Sequence, residues 1–362
     1  MHIVIDGRII NSSTGRYVER LVTYLQDIDT TNKYTVLVPS KDKDFWKPSS
    51  KNFSVVVADF ANYSLAEQFG LNKLLRSLRP DLVHFCMPQQ PVLYRGKSVT
   101  TIHDLTLLNT YMSDKNWIVY KTKQLIGRFV FHRVIKKNSF VITDTNYTKK
   151  KLGVFDDRSL EKTVAVPLSA DKVKVKPLPY SLPFKQYIMY VGQQANYKNI
   201  RRLLDAHNIL RNKYPDLGLV LVGREDEMVR RHKKYVAKKS YQNVLFTGFV
   251  SDEELAWLYT NTSAYVFPSL MEGFGLPGLE AMTYGAPVVS SKASCLPEVY
   301  GHAAHYFDPR DSSDMATAIE EVLSSSKLRE QLVTKGKSQL RKYSWKTTAR
   351  KTHHIYLKAL KD

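Results

Sequence analysis

Two carboxylates that could bind a ligand or take part in catalysis, Glu272 and Glu280, flank a glycine-rich loop in FPSLMEGFGLPGLEAM (residues 267–282). Glycine allows a close backbone approach to a ligand, and a helix that begins near Pro277 presents its N–H groups to an anion. The segment therefore predicts a diphosphate site. Glu272 would face the ligand, and Glu280, one turn into the helix, could accept hydrogen bonds from a ribose. In the alternative interpretation, Glu280 only complements the helix dipole and Glu272 is a surface residue.

Three more candidate residues follow predicted strands. Lys198, near a helix start, could bind a diphosphate and stabilise the charge that develops on a departing nucleotide. His103 and Asp104 end the strand TTIHD, where they could meet a substrate. Asp104 would either orient the histidine or cap the next segment. A solvated lysine and a structural histidine remain the alternatives.

Short β-branched segments alternate with helical ones along the chain, which predicts parallel sheets covered by helices. The pattern runs once through the first half and restarts after a proline-rich stretch. The predicted strands are residues 2–7, 33–40, 81–85, 98–104 and 139–145, then 186–192, 217–223, 243–249, 264–269 and 287–291. The fold class is thus α/β, with two Rossmann-like doubly wound domains. Such sheets bind ligands at the carboxyl ends of their strands, which predicts a central cleft between the two domains.

The predicted domain boundaries follow from this alternation. The first domain covers residues 1–171, a linker residues 172–185, and the second domain residues 186–344. The final stretch, residues 345–362, is predicted to be a helix that packs back on the first domain.

The composition narrows the class of protein. The chain has 362 residues with 43% hydrophobic and 24% charged, typical of a folded globular protein of about two domains. Cys86 and Cys295 form no disulfide framework or metal-binding pair, and we expect a reducing, cytoplasmic location. The start of the chain carries Asp6 and Arg8 where a signal peptide would be apolar. The net charge of +20 favours an anionic partner.

A basic, aromatic-rich segment at residues 116–138 suggests what that partner could be. It contains six Lys or Arg residues and no Asp or Glu, with Trp117, Tyr120, Phe129 and Phe131 among them. Such a helix can lie on an anionic membrane, which would place the protein on the inner face of the membrane. The alternative is an ordinary domain helix with solvated lysines.

The Glu-x7-Glu segment resembles the signature of glycosyltransferase group 1, also called family 4, whose retaining members have the GT-B fold. Similar blocks run along almost the whole chain in the family's order. They are IDGRIINSSTGRYVERL, TIHDL, TNYTKKKL, YVGQQANYKNI, SCLPEVYGHAAHYFDP and YSWKTTA. Their motif style is most similar to bacterial mannosyltransferases, so we predict a role in synthesis of a cell-envelope polysaccharide.

The resemblance implies a role for each matching residue. His103 would lie beside the transferred sugar, Glu272 would contact its hydroxyls, and Glu280 would contact the ribose. Lys198 and the backbone of Gly15 would meet the diphosphate. The remaining donor-binding candidates are the loop residues Gly273, Phe274, Gly275 and Leu276, together with Gln193 and Arg224. Gln193 stands where relatives often carry a basic residue, and Arg224 could substitute for it.

The predicted activity is therefore transfer of a hexose, with retention, from a nucleotide-sugar to a glycan or lipid-linked acceptor. The donor favoured by the motifs is GDP-mannose, and a UDP-sugar is the alternative. We expect neither metal nor cofactor, because the nucleotide-sugar is itself a substrate and Lys198 can neutralise the leaving group. From a different class, a basic nucleic-acid-binding protein would account for the charge, but no nucleic-acid motif accompanies it. A dehydrogenase is disfavoured because DGRIINSSTG replaces GxGxxG after the first strand.

Overall fold

The computed structural model describes residues 1–109, 117–171 and 175–361. These residues divide into two compact units. The first unit comprises residues 1–109, 117–168 and 344–361, and the second comprises residues 169–171 and 175–343. The first unit thus ends its second segment at residue 168, before the predicted boundary at 171, and residue 344 belongs to the first unit.

The first unit contains a parallel sheet with the strand order β3-β2-β1-β4-β5-β6-β7. Its strands are β1 (His2–Asp6), β2 (Lys33–Val38), β3 (Phe53–Val57), β4 (Leu82–Phe85), β5 (Ser98–Thr101), β6 (Phe140–Thr143) and β7 (Thr163–Ala165). The helices that cover it are α1 (Gly15–Ile28), α2 (Asn72–Leu78), α3 (Thr106–Asn109), α4 (Trp117–Lys137) and α5 (Asn146–Phe155), with a return helix from the end of the chain. The central strands are apolar on both faces, as burial under two helical layers requires; Ile3, Val4 and Ile5 are fully buried.

The second unit contains a parallel sheet with the order β10-β9-β8-β11-β12-β13. Its strands are β8 (Tyr187–Val191), β9 (Gly218–Val222), β10 (Val244–Gly248), β11 (Ala264–Phe267), β12 (Val288–Ser291) and β13 (Ala304–Phe307). Its helices are α6 (Ile200–Leu210), α7 (Glu227–Lys238), α8 (Asp252–Asn261), α9 (Leu276–Thr283), α10 (Leu296–Tyr300), α11 (Ser312–Ser324) and α12 (Ser326–Leu340). Both sheets follow the Rossmann order, so the predicted α/β class with two doubly wound domains is confirmed.

The last helix, α13 (Trp345–Lys361), packs against α1 of the first unit, as the sequence predicted. Two polar contacts fix it: His353 Nε2 lies 2.9 Å from Asp29 Oδ2, and Thr348 Oγ1 donates to the carbonyl of Pro167 at 2.6 Å. Within the predicted linker, residues 175–183 form neither helix nor strand, and residues 172–174 lie outside the described chain. Among the described helices, none combines the length and apolar character needed to cross a membrane.

Candidate active site

Lys198 and Glu272 meet at the point where the strand order of the second sheet reverses. Lys198 follows β8 and Glu272 follows the adjacent β11, so the carboxyl ends of neighbouring parallel strands bring them together. Lys198 Nζ lies 2.6 Å from Glu272 Oε1, and the side chains are only 14% and 12% exposed. The ammonium also stands over the rings of Tyr197 and Phe267, 5.0 and 5.7 Å from their centroids. This arrangement places a largely buried cation at the strand ends where sheets of this kind bind their ligands.

The loop from β11 to α9 has the geometry that the sequence predicted. The helix begins at Leu276, with Gly275 as its N-cap in the left-handed region at φ +97°. The ring of Tyr300 packs over this turn and donates its hydroxyl to the carbonyl of Gly275 at 2.5 Å. A Cβ on Gly278 would lie 2.3 Å from the same hydroxyl, so only glycine fits there. The start of α9 is therefore a turn that is held by Tyr300 and needs glycine at position 278, and its first-turn N–H groups have no partner within the helix.

Two further contacts fix the loops that carry the charged pair. The backbone N–H of Glu272 donates to Ser294 Oγ at 3.1 Å, and Cys295 Sγ donates to the Glu272 carbonyl at 3.2 Å. On the other side, the buried amide of Asn199 donates to the carbonyls of Pro268 and Pro309, at 3.0 and 2.7 Å. Asn199 adopts φ +65°, a conformation that asparagine tolerates well. These bonds hold the Lys198 and Glu272 backbones in place.

The other predicted donor residues of the second unit fall into two groups. Glu280 lies one turn into α9 and is partly exposed; Gly273 lies in the loop before α9, and Leu276 is the first residue of that helix. The side chain of Phe274 is buried against Tyr343, with ring centroids 5.5 Å apart, so only its backbone can face a ligand.

Gln193 and Arg224 occupy matching positions after adjacent strands. Val191 pairs with Val222, and Gln193 and Arg224 each lie two residues beyond that pair. Both side chains are exposed. A Cβ on Gly223 would lie 2.4 Å from the Gly192 carbonyl, so the backbones that lead to them are in close contact. The register therefore fits a role for Arg224 as the basic group that position 193 lacks.

In the first unit, the loop between β1 and α1 is held by buried charges. The Arg8 guanidinium bonds to Asp6 through two N–H groups, at 2.9 and 2.8 Å, and to Glu67 at 2.9 Å. All three side chains are at least nine-tenths buried. The loop ends at Gly15, where a Cβ would lie 2.1 Å from the Ile10 carbonyl oxygen. The predicted phosphate-contacting residue is thus a position that only glycine can occupy.

His103 is paired with Asp144 rather than with its sequence neighbour Asp104. Strands β5 and β6 pair Thr101 with Ile142, and the same offset of 41 residues brings His103 level with Asp144. His103 Nδ1 lies 2.8 Å from Asp144 Oδ2. Asp104 instead accepts the N–H of Thr106 at 2.8 Å and caps α3. Of the two roles considered for Asp104, the direct contact is the capping one.

The His103 side chain is 15% exposed and that of Asp144 is 3% exposed. Burial lowers the pKa of His103, but the Asp144 carboxylate raises it more, so the pKa lies above its ordinary value of 6.5. His103 Nε2 has no hydrogen-bond partner within the described part of the chain. The imidazole is therefore oriented by a carboxylate, and its Nε2 is buried.

A buried polar network supports His103 from below. Tyr17 packs edge-on against it, with ring centroids 4.9 Å apart, and its hydroxyl bonds to Thr101 Oγ1 at 2.9 Å. His84 Nε2 bonds to the same hydroxyl at 2.8 Å, and its Nδ1 bonds to the Tyr356 hydroxyl of α13 at 2.6 Å. The C-terminal helix thus contributes to the shape of this half of the site.

Sequence reasoning missed five residues that build the site. Asp144 and Tyr356 lie outside the recognised blocks and Tyr17 lies within the first of them, and only the strand register or helix packing brings the three to His103. Tyr300 and Asn199 lie in recognised blocks. The contact of Tyr300 with Gly275 and Gly278 becomes evident only once the packing is known. Among the described residues, no three His, Cys, Asp or Glu side chains form a group that could hold a metal ion.

The fold and the residues at the strand ends of each unit define a class: two Rossmann domains, the second of which places a cation, carboxylates and a glycine-lined helix start at strand ends. HepE from Anabaena, solved in complex with UDP and glucose, has this fold. It matches with a TM-score of 0.72 and 16% identity, covering 99% of this chain and all of HepE.

The chain belongs to the group 1 glycosyl transferases, whose family model matches residues 182–339. It is 30% identical over 274 residues to the O-antigen chain mannosyltransferase B of Escherichia coli, which covers 72% of this chain and 70% of that protein. It is also 30% identical over 266 residues to the E. coli serotype-specific mannosyltransferase WbdA, covering 70% of this chain but 32% of WbdA. The recognition made from the sequence is confirmed, and the chain is a glycosyltransferase.

Proposed function

We propose that this glycosyltransferase moves mannose from GDP-mannose, with retention of configuration, to a glycan or lipid-linked acceptor of a cell-envelope polysaccharide. The observation that carries the proposal is the ion pair of Lys198 and Glu272 beside the start of α9. The choice of mannose is supported by the similarity to the two E. coli mannosyltransferases.

In the proposed reaction, the bond between the sugar's anomeric carbon and the diphosphate oxygen breaks. Lys198 and the N–H groups at the start of α9 stabilise the negative charge that develops on the diphosphate. An acceptor hydroxyl forms the new bond on the same face, and its proton passes to the departing diphosphate. Neither a metal ion nor a cofactor is part of this proposal, because these cationic groups supply the electrostatic stabilisation.

The remaining residues have proposed roles in recognition. Glu272 would accept hydrogen bonds from sugar hydroxyls, and Glu280 from the ribose. Gly15 would allow the backbone of the first unit to approach the phosphates, and His103 would lie beside the transferred sugar. Arg224 would add a second cation for the diphosphate. A cytoplasmic enzyme on the inner membrane face fits an acceptor attached to a lipid.

A thermal-shift panel tests the donor. GDP, UDP, ADP and their sugar conjugates are compared, with NAD as a control, each with and without EDTA. The expected result is a rise in melting temperature with GDP and GDP-mannose that EDTA does not remove, since a ligand that binds only the folded state stabilises it. A selective rise with UDP-sugars would replace mannose transfer with the UDP-dependent alternative. A rise that EDTA abolishes would contradict metal independence.

A further inference from the structure

A cavity lined by cationic side chains lies in the first unit, apart from the residues of the candidate active site. Its volume is about 800 Å³. Six cationic side chains line it: Lys73, Arg76, Arg95, Arg133, Lys136 and Lys137. Among the described residues that line the cavity, none is Asp or Glu. Such a concentration of positive charge selects for an anionic ligand.

The position of the cavity separates it from the candidate active site. Its walls come from α2, the loop before β5 and the last turn of α4. Gly96 and Lys137, both in the lining, precede the first residues of β5 and β6. His103 and Asp144 follow the last residues of the same strands. The cavity therefore lies toward the amino-terminal ends of these strands, whereas His103 and Asp144 lie at their carboxyl ends.

The cations of this cavity are held close together without a neutralising carboxylate in the lining. Lys137 is half-buried, with its Nζ 3.4 Å from the Pro91 carbonyl and 5.1 Å from the Tyr94 ring centroid. Burial, and then the nearby charge of Arg133, lower the pKa of Lys137 to about 8. A bound anion would remove the electrostatic cost that this shift reports.

Exposed apolar side chains surround the same cations. Phe69 and Leu93 form part of the cavity wall and are 63% and 51% exposed. On α4, Ile126 and Phe129 are 51% and 62% exposed, and they continue at helical spacing into Arg133 and Lys136. Of the aromatic residues noted in the sequence, Trp117 is exposed, Phe131 is buried in the core, and the Tyr120 side chain lies outside what the structure describes.

We propose that this surface docks the protein on an anionic membrane, with lipid phosphates in the cationic cavity and Phe69, Leu93, Ile126 and Phe129 in the interface. Cationic side chains next to exposed apolar side chains favour a bilayer as the partner. Phosphate binding in a nucleic acid would use the cations but would not require the apolar side chains to be buried. The docking itself stands on the cavity alone. Its use in reaching a lipid-linked acceptor rests on the proposed function.

Vesicle sedimentation of the full chain tests the proposal. Vesicles of phosphatidylcholine alone are compared with vesicles that contain phosphatidylglycerol. The expected result is pelleting only with phosphatidylglycerol, weakened by salt. The variant Arg133→Gln/Lys136→Gln should bind about tenfold to thirtyfold more weakly, because each basic residue near the surface contributes about one order of magnitude or less. The variant Phe129→Ser should also bind more weakly.

The matched control is Lys234→Gln/Lys238→Gln on α7 of the second unit, which removes the same charge from exposed helical positions. It should bind vesicles like the unmodified protein. Equal losses in both double variants, or no pelleting on phosphatidylglycerol, would overturn the proposal, as would salt-sensitive binding to duplex DNA that Phe129→Ser leaves unchanged. A GDP-induced thermal shift, measured in parallel on every variant, reports the proposed donor site separately from docking.

Discussion

The candidate residues of the two units are positioned in different ways. In the second unit, the groups proposed to bind the diphosphate come from loops that directly follow β8 and β11, and the glycines that shape them lie in the same short segment. In the first unit, His103 depends on Asp144, on Tyr17 and, through His84, on Tyr356 of the last helix. In the second unit, two loops at adjacent strand ends thus supply the charged pair, whereas in the first unit the last helix of the chain is also needed. Substitutions should therefore act on chemistry in the second unit and on geometry in the first.

The largest expected effect is that of Lys198→Met. Removing the cation should lower kcat/KM for mannosyl transfer by about 100-fold to 1000-fold, as loss of one preorganised electrostatic group does. Steady-state rates of GDP release with acceptor-containing membranes measure it. Lys213→Met is the matched control, because its ion pair with Glu320 is solvent-exposed and should contribute little. A loss below threefold for Lys198→Met would remove the central residue of the proposed mechanism.

The comparison is sharpened by pH, which acts on a buried histidine of the second unit. Burial lowers the pKa of His207 to about 4, against about 6.5 in an unfolded chain. Its stabilising effect is complete above pH 6.5 and is lost as the pH falls, because only the unfolded state then takes up the proton. The loss approaches about 3 kcal/mol near the folded pKa.

Melting temperatures at about pH 7 and about pH 4.5 measure this loss, and His207→Gln should reduce the difference between them. Equal acid sensitivity of the variant and the unmodified protein would show that other groups control it. His103 should contribute with the opposite sign. Since its pKa is raised in the folded state, its contribution is complete below pH 6.5 and is lost as the pH rises.

A smaller effect is expected from Asp144→Asn in the first unit. It should lower kcat/KM by about 10-fold to 100-fold, because the imidazole loses the carboxylate that orients it. The pKa of His103, followed by NMR of its ring protons, should fall. Asp104→Asn is the control, since asparagine retains the cap on α3. If the Asp104 variant had the larger effect on both quantities, the orienting role would pass to Asp104.

The smallest effects are expected for two tyrosines, Tyr300 in the second unit and Tyr356 in the first, which differ in the property that they affect. Tyr300→Phe and Tyr356→Phe each remove one buried hydrogen bond and should cost about 1 to 2 kcal/mol of stability. Only Tyr300→Phe should weaken GDP binding, by about threefold to tenfold, because Tyr300 packs on the turn that starts α9. Calorimetric melting and titration with GDP measure the two quantities. Equal losses of GDP affinity would mean that this contrast between the units is wrong.

The sequence predicted the central strands and missed three at the sheet edges. β3, β7 and β13 each form an outer strand, and such strands need not be apolar on both faces. In Phe53–Val57 only the first residue is buried, Thr163–Ala165 has three residues, and Ala304–Phe307 contains a partly exposed histidine. The apolar runs that identify buried parallel strands are therefore weak or absent in them.

The candidate site shows the same division. Glu272 and the glycines were identified because they lie together in one short segment, and Lys198 was identified through the resemblance to a known family. The partner of His103 was not identified, because its carboxylate, Asp144, follows the neighbouring strand; for Asp104 the sequence left an orienting and a capping role open, and the contact found is the capping one. Pairing across a sheet depends on register, which local sequence does not state. The roles of the donor-binding residues stay predictions until a nucleotide is bound.

The discontinuity of the first unit determines the order in which the protein can be completed during synthesis. The hydroxyl that bonds to His84 belongs to Tyr356, and α1 is covered by α13. A ribosome makes these elements only after residues 169–343, so the second unit has its full sequence while the first still lacks its last helix. Until α13 is synthesised, one face of α1 stays uncovered, and the contacts around His84 and His103 are completed last.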